Sequence, residues 1–148
     1  MNPPLRLLAA FQKEAHKEPQ HIVQIDERQM WVAAEVTGGF PYTIIVPDMD
    51  VRTTFDRRSA KLKKTLRNRP LPQWAYYMAG AVAILDRDGF DMAGATLVIA
   101  GDEPAGPRYH HALGIAFVAF WYQINDKPYT SQTLIDLMEK VRHNYIQS

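Results

Sequence analysis

The sequence lacks cysteine entirely among its 148 residues. A disulfide framework, a thiolate metal site and a cysteine nucleophile are therefore excluded. Long apolar runs are also missing, since the longest, 112–121, is about half of the roughly 20 residues that a membrane-spanning helix needs. No secretory signal is evident, because Lys13 and Glu14 stand where an apolar signal core would be required. We therefore predict a cytoplasmic protein without a membrane span.

Glycine and proline are too few for a collagen-like or low-complexity chain, with 8 and 10 residues. Hydrophobic residues make up 47% of the chain and charged residues 22%, proportions that exclude collagen-like and disordered classes. One domain commonly takes about 100 to 200 residues. We therefore predict that residues 1–148 form a single domain with one sizeable core.

Positive charge is concentrated in one segment, whereas the net charge of the chain is only +1. Residues 52–69 hold eight of the 17 basic residues and one of the 16 acidic residues, so the rest is acidic. With only Leu62 and Leu66 as large aliphatic residues, this segment is predicted to be a basic loop or a short helix. It could bind nucleic acid through counterion release, although Phe55 is its only aromatic residue for base stacking; a solvated surface is the alternative. The basic residues are Arg52, Arg57, Arg58, Lys61, Lys63, Lys64, Arg67 and Arg69.

Hydrophobic periodicity predicts a strand-rich first half followed by helix, strand, loop and two helices. The helix near 109–123 is apolar on nearly all sides and is expected in the core, and Thr130 or Ser131 is expected to cap the last helix. This order predicts an α+β domain of two layers. The predicted strands are 21–27, 30–36, 42–46, 50–55 and 95–100, and the predicted helices are 5–16, 73–86, 109–123 and 134–143.

The segment after the strand 95–100 is the first candidate site. A strand that leads through a glycine-containing loop into a buried helix can hold an anion on backbone N–H groups at the start of the helix. Arg108 could add its guanidinium to a phosphate or carboxylate there. The alternative is that Arg108 pairs with Asp102 or Glu103 and only holds the loop.

Several motifs occur here in an order that one enzyme family shares. Trp-Ala-Tyr-Tyr at 74–77 lies at the start of a helix, Gly-Asp-Glu-Pro at 101–104 follows a hydrophobic strand, and Val-Arg-His-Asn-Tyr at 141–145 ends the last helix with Asn144. With these motifs, residues 71–145 resemble the N-terminal domain of galactokinase in the GHMP family of small-molecule kinases. The resemblance implies a mixed sheet packed on helices, a sugar as substrate, and ATP and Mg²⁺ as cofactors.

The resemblance extends to residues 11–52, which are similar in outline to the sugar-binding part of the family. Glu35 and Thr37 fall within the family's Gly-Glu-His-Thr-Asp motif, and Asp50 falls at the end of its Leu-Pro-x-x-Ile-Asp motif. These matches imply that all three bind sugar. Arg28 falls near the arginine of the family's Pro-Gly-Arg segment, where it would stabilise the transferring phosphoryl group; a surface arginine on a strand is the alternative.

The family's phosphate loop corresponds to residues 101–112, so the resemblance implies nucleotide or anion binding by Gly101, Pro104, Gly106 and Arg108. This loop departs from the family's Pro-x-Gly-x-Gly-Leu-Ser-Ser-Ser. Pro107 lacks a backbone N–H, Arg108 replaces a glycine that lets backbone approach phosphate, and all three serines are absent. Ordinary binding of ATP and Mg²⁺ is therefore not expected.

Other catalytic groups are missing too. Val36 and Gly38 stand where the family has histidine and aspartate, and the family's catalytic aspartate would follow the last helix, beyond Ser148. His110 and His111 are poor ligands for Mg²⁺, and adjacent helical residues point about 100° apart, so no metal site is predicted.

The leading hypothesis is a galactokinase-like domain without self-sufficient kinase activity, which serves as a ligand-binding, regulatory or assembly module. Its ligand would be a small sugar or phosphate compound, and we expect a homodimer or a partner protein to cover an apolar face. One alternative is a part of an ATP-dependent sugar kinase that is completed by a missing lobe. Another is a nucleic-acid-binding module that uses Arg52 to Arg69.

Overall fold

The structure is a computed structural model that describes residues 2–25 and 29–147. A five-stranded sheet carries helices on both of its faces. The strands are β1 His21–Ile25, β2 Met30–Val36, β3 Tyr42–Val46, β4 Val51–Phe55 and β5 Ala95–Gly101. The helices are α1 Leu5–Ala15, α2 Arg57–Lys61, α3 Tyr76–Arg87, α4 Pro107–Ile124 and α5 Ser131–Val141, with short 3₁₀ turns at Pro47–Met49 and Gln73–Ala75 and a π-helical turn at Arg142–Ile146.

The strands run in the order β1-β2-β5-β3-β4. β3 and β5 are parallel, whereas the other neighbouring pairs are antiparallel. This is the mixed sheet that the resemblance implies, and the α+β prediction is confirmed. Along β2 and β5, Met30 lies opposite Gly101 and Val36 opposite Ala95, so the last residue of β5 is level with the first residue of β2.

The main core lies between the sheet and helices α3, α4 and α5. Helix α4 is buried from Ala112 to Trp121 without interruption, which confirms the prediction of a core helix. Helix α5 is capped by Thr130, whose hydroxyl accepts a hydrogen bond from the backbone N–H of Thr133 at 3.2 Å. Of the two residues predicted to cap this helix, Thr130 is therefore the one that does so.

Helix α1 covers part of the opposite face of the sheet. Its Leu7 and Phe11 are fully buried against Trp31 of β2 and Val98 of β5, in a second and smaller apolar cluster. Both faces of the sheet are thus apolar at its centre. Successive side chains of β2 and β5 point to opposite faces, and in the middle of these two strands the side chains on either face are apolar. On the β3 and β4 half of the α1 face, Thr43, Ile45 and Thr54 are half-buried and Arg52 is exposed, so α1 leaves this half partly open.

The basic segment 52–69 is ordered and contains more than the predicted loop or short helix. It begins within β4, and Asp56 and Ser59 then form a reciprocal capping box at the start of α2. The chain returns through a turn in which Thr65 N–H donates to Arg69 O at 2.8 Å and Leu66 N–H donates to Thr54 O at 3.0 Å. This last bond ties the turn to the outer edge of β4.

None of the helices in the described ranges combines the length and apolarity that a bilayer crossing requires.

Candidate functional site

The carboxyl ends of β3 and β5 meet at one edge of the sheet because the two strands are parallel. The 3₁₀ turn Pro47–Met49 follows β3 and brings Asp48 next to Gly101, the last residue of β5. The backbone N–H of Gly101 donates a hydrogen bond to Asp48 Oδ2 at 2.9 Å. The Asp48 carboxylate therefore accepts the Gly101 N–H, the first backbone donor of the connection between β5 and α4.

Two further side chains donate to the same carboxylate. Arg6 of α1 donates from Nε to Asp48 Oδ1 and from Nη2 to the carbonyl oxygen of Gly101 at 2.9 Å. The hydroxyl of Tyr109, in the first turn of α4, donates to Asp48 Oδ2. We call these four residues, Arg6, Asp48, Gly101 and Tyr109, the Asp48 network. It connects α1, β5, α4 and the turn after β3.

The electrostatics of the network favour a charged carboxylate and protonated donors. Burial raises the pKa of Asp48, but hydrogen bonds from Arg6, Tyr109 and Gly101 outweigh it and hold the pKa below its ordinary value. Burial, followed by the bond to Asp48, raises the pKa of the Tyr109 hydroxyl. The hydrogen bond with Asp48 raises the pKa of Arg6. At neutral pH the network is thus a carboxylate held by a guanidinium, a hydroxyl and a backbone N–H.

The lowered pKa of Asp48 predicts a loss of stability in acid. Its folded pKa lies below the unfolded value of about 3.9, so the unfolded chain binds the proton more readily and folding is favoured above that value. We expect the stability advantage of the native protein over Asp48→Asn to be full at pH 7 and to shrink as pH falls below about 4. Urea denaturation of both proteins from pH 7 to pH 3 measures it. An advantage that stays constant over this range would contradict the prediction.

The beginning of α4 offers few free donors. Gly106 has a φ of 117°, which only glycine adopts readily, and its carbonyl accepts the N–H groups of Tyr109 and His110 at 2.9 and 3.2 Å. Pro107, the first helical residue, has no N–H to donate. Most of the donors that a helix start normally presents are thus bonded internally or missing.

Arg108 lies on the surface beside an acidic residue. Its Nη2 is 3.9 Å from Glu103 Oε2, and the Arg108 side chain is 75% exposed while that of Glu103 is 10% exposed. This is the second of the two roles considered from the sequence, in which Arg108 pairs with a loop carboxylate. Pro104 lies in the same loop, between β5 and α4.

The residues aligned with the sugar motif lie at the other end of the sheet. Glu35 of β2 is level with Thr96 near the start of β5, about 16 Å along the strand from Gly101. Its carboxylate pairs with Lys17, and the backbone N–H of Thr37 donates to Gly94 O at 2.8 Å. The structure therefore does not bring Glu35 and Thr37 together with the loop of Gly101.

The remaining sequence candidates are placed differently. Asp50 is exposed in the turn between β3 and β4, at the same edge of the sheet as Asp48, with a φ of 52°. Arg28 lies outside the described residues. No cluster of three metal-binding side chains occurs within the described part of the chain. The imidazole of His111 packs edge-on against the Tyr77 ring, with centroids 5.2 Å apart, and burial lowers the pKa of His110.

Sequence reasoning missed three members of the Asp48 network. Asp48 is inside the segment matched to the Leu-Pro-x-x-Ile-Asp motif, but nothing in that motif singles it out. Arg6 and Tyr109 are 42 and 61 residues away from it in the chain. The available signal was indirect: Arg6 is the one basic residue in the first turn of α1.

Comparison with solved structures identifies the fold. Galactokinase of Lactococcus lactis, crystallised in complex with galactose, superposes with a TM-score of 0.67 at 15% identity, over 96% of this chain and 42% of that one. A mevalonate kinase superposes with a TM-score of 0.57 at 13% identity, over 80% of this chain and 37% of that one. The mevalonate kinase of Methanococcus jannaschii gives 0.56 at 11% identity, over 76% and 36%.

No family sequence model and no curated protein sequence matches the chain. The likeness to these kinases is thus one of backbone fold and not of overall sequence. The resemblance to galactokinase drawn from the motifs is confirmed at the level of the fold. The chain spans about two fifths of the length of these kinases and has the fold that galactokinase and mevalonate kinase, both GHMP kinases, share over that part.

Proposed function

We propose that this chain is a galactokinase-like domain that does not transfer phosphate by itself and serves as a ligand-binding, regulatory or assembly module. The observation that carries the proposal is the Asp48 network. Its carboxylate accepts the Gly101 N–H and the Tyr109 hydroxyl, two of the donors that face the edge where the fold's nucleotide loop would lie.

The chemistry of phosphoryl transfer supports this proposal. Catalysis there consists mainly of positioning the phosphates and stabilising their negative charge. In this chain the turn after β3 and the corresponding loop bring Asp48, Asp102 and Glu103 to the same edge. Within the described ranges only Arg6 and Arg108 pair with these three carboxylates, so the group keeps a net negative charge that repels phosphate. Arg108, the nearest cation of the loop, is shared with Glu103. The residues present therefore do not fit ATP with Mg²⁺.

The ligand of such a module would be a small sugar or phosphate compound, and the assembly role would involve a second copy of the chain or another protein. Because Glu35 and Thr37 are remote from Asp50 and Gly101, a sugar would meet only one of these groups at a time. A binding role thus requires fewer residues to converge than catalysis would.

A second candidate function is supported by the extent of the match. The chain covers 42% of the Lactococcus lactis galactokinase. It would then be one part of an ATP-dependent sugar kinase whose other part is supplied separately. A neighbouring reading frame that encodes the rest of the kinase fold would support this candidate, and co-expression of the two would then produce turnover.

A kinase assay tests the main proposal. We expect the purified chain to show no phosphorylation of galactose with ATP and Mg²⁺ above a protein-free blank, and no heat of binding for ATP with Mg²⁺ by isothermal titration calorimetry. Lactococcus lactis galactokinase serves as the positive control for the assay.

The outcome that overturns the proposal is turnover that scales with the concentration of the isolated chain. If turnover is found, Arg28→Ala identifies its source. A drop of at least about tenfold in that variant, without a drop in Lys140→Ala on the exposed face of α5, would establish Arg28 as the residue that stabilises the transferring group.

A further inference from the structure

A groove runs along the outer edge of β4, on the half of the sheet face that α1 leaves partly open. Its volume is about 550 Å³. One wall is the turn that follows α2, which is tied to β4 by the bond from Leu66 N–H to Thr54 O. We call it the β4 groove. It is lined by Arg52, Thr53, Thr54, Thr65, Leu66 and Arg67.

Two cations, Arg52 and Arg67, line the groove, and the segment 52–69 that contributes its lining holds six more. Three cations of the segment have partners. Arg52 Nη1 forms an ion pair with Glu14 Oε1 at 3.2 Å, Arg57 forms one with Asp86, and the Lys63 ammonium lies over the rings of Tyr76 and Tyr145. The other five cations of the segment form no ion pair with any residue in the described ranges, and all but Lys64 are exposed. These five are Arg58, Lys61, Lys64, Arg67 and Arg69. Five uncompensated cations within twelve residues favour an anionic partner.

Two exposed leucines accompany these charges. Leu62 is 64% exposed, and Leu66, in the groove itself, is 46% exposed. The one aromatic residue of the segment, Phe55, is fully buried and presents no ring on which a base could stack. The surface therefore combines cations with aliphatic groups, and it is concave where Leu66 and Arg67 lie.

We propose that the β4 groove binds a short acidic segment of a partner protein that carries aliphatic side chains between its carboxylates. Guanidinium groups bind carboxylates through paired hydrogen bonds, so Arg67 and its neighbours would hold the acidic side chains. Leu66 would contact the aliphatic ones. A nucleic acid would leave the leucines unused, and a flat bilayer would not fill a groove. The proposal involves no residue of the Asp48 network and is independent of whether the chain transfers phosphate.

The test is fluorescence anisotropy with a labelled twelve-residue peptide of four Glu-Asp-Leu repeats, at low ionic strength. We expect it to bind about tenfold more tightly than a peptide of four Glu-Asp-Gly repeats and than a twelve-nucleotide uridine RNA. Arg67→Glu is expected to weaken binding about tenfold and Leu66→Ser several-fold. Lys140→Glu, an exposed charge reversal on α5, is the matched control and is expected to change binding less than about twofold.

Circular dichroism and thermal denaturation first establish that the surface variants fold like the native protein. The proposal is overturned if the RNA binds more tightly than the Glu-Asp-Leu peptide, or if vesicles containing phosphatidylserine bind in its place. It is also overturned if neither peptide binds at low ionic strength, where such contacts are strongest. Dimerisation that Arg67→Glu abolishes would assign the groove to a second copy of the chain and overturn it as well.

Discussion

Replacement of Asp48 by alanine is expected to lower the free energy of unfolding by about 3 kcal/mol. The carboxylate accepts hydrogen bonds from the N–H of Gly101 and from the hydroxyl of Tyr109, a residue that is only 2% exposed. A buried donor left without its acceptor costs about 1–3 kcal/mol. The ion pair with Arg6 adds little, because an exposed pair contributes about 0–1 kcal/mol. Urea denaturation followed by circular dichroism measures the change.

A double-mutant cycle separates the hydrogen bond from other effects. Tyr109→Phe alone is expected to cost about 1 kcal/mol, and the pair Asp48→Ala with Tyr109→Phe less than the sum of the single variants by about 1–2 kcal/mol. Asp91→Ala is the control, because Asp91 is exposed and its carboxylate makes no hydrogen bond within the described ranges; its change should stay within about 0.5 kcal/mol. Strict additivity of the two single variants would show that Asp48 and Tyr109 are not coupled.

The second large effect is expected at Gly101, where substitution by alanine should cost about 3 kcal/mol. A Cβ at this position would lie 2.5 Å from the carbonyl oxygen of Gln29, 2.8 Å from the Cα of Met30 and 2.3 Å from its sulfur. Two of these atoms belong to the backbone, so β2 and β5 would have to separate at their paired ends. The free energy of unfolding from urea denaturation gives the cost.

Gly39→Ala is the matched control for this variant. A Cβ there would meet only Pro41 Cδ at 3.6 Å, an ordinary contact, and the backbone does not require positive φ. We expect a change within about 0.5 kcal/mol. If Gly101→Ala cost no more than Gly39→Ala, the close approach of β2 to β5 would not be the reason for glycine at 101.

The secondary structure was largely predictable because it depends on local spacing. The β-branched and aromatic residues at 42–46 predict β3, and the continuous apolar run at 95–100 predicts a buried strand, which the structure extends to Gly101. The apolar residues of 109–123 surround the whole helix, and α4 is buried accordingly. In each of these cases burial follows from side-chain pattern alone.

The basic segment shows where local pattern is insufficient. Its charges predict exposure, which is confirmed for Arg58, Lys61, Arg67 and Arg69. Its order, however, depends on hydrogen bonds to other parts of the chain, such as the bond from Leu66 to Thr54. A short run of cations carries no sign of such a partner, so loop and helix were indistinguishable from sequence.

The candidate site was predicted only in part. The strand, loop and helix around Gly101 and Gly106 lie in the expected order, but the positions matched to sugar binding divide between two ends of the sheet. The order of motifs along the chain does not determine at which end of the sheet each motif lies, because antiparallel neighbouring strands have their carboxyl ends at opposite ends of the sheet. Glu35 and Thr37 lie at the carboxyl end of β2, and because β2 is antiparallel to β5 this end is level with the start of β5. Gly101 is the last residue of β5 and therefore lies at the opposite end of the sheet.

The sequence by itself determined most of the strands and the longer helices, the α+β class, the concentration of positive charge in 52–69 and the absence of phosphate-loop serines, because each is a property of composition or near-neighbour spacing. Only the tertiary structure decided that Asp48 occupies the Gly101 N–H and that the turn after α2 forms a groove with β4. Arg6, Gly101 and Tyr109 lie 42, 53 and 61 residues from Asp48. Contacts over such separations depend on strand order, and strand order is settled by how apolar faces pack together rather than by local sequence.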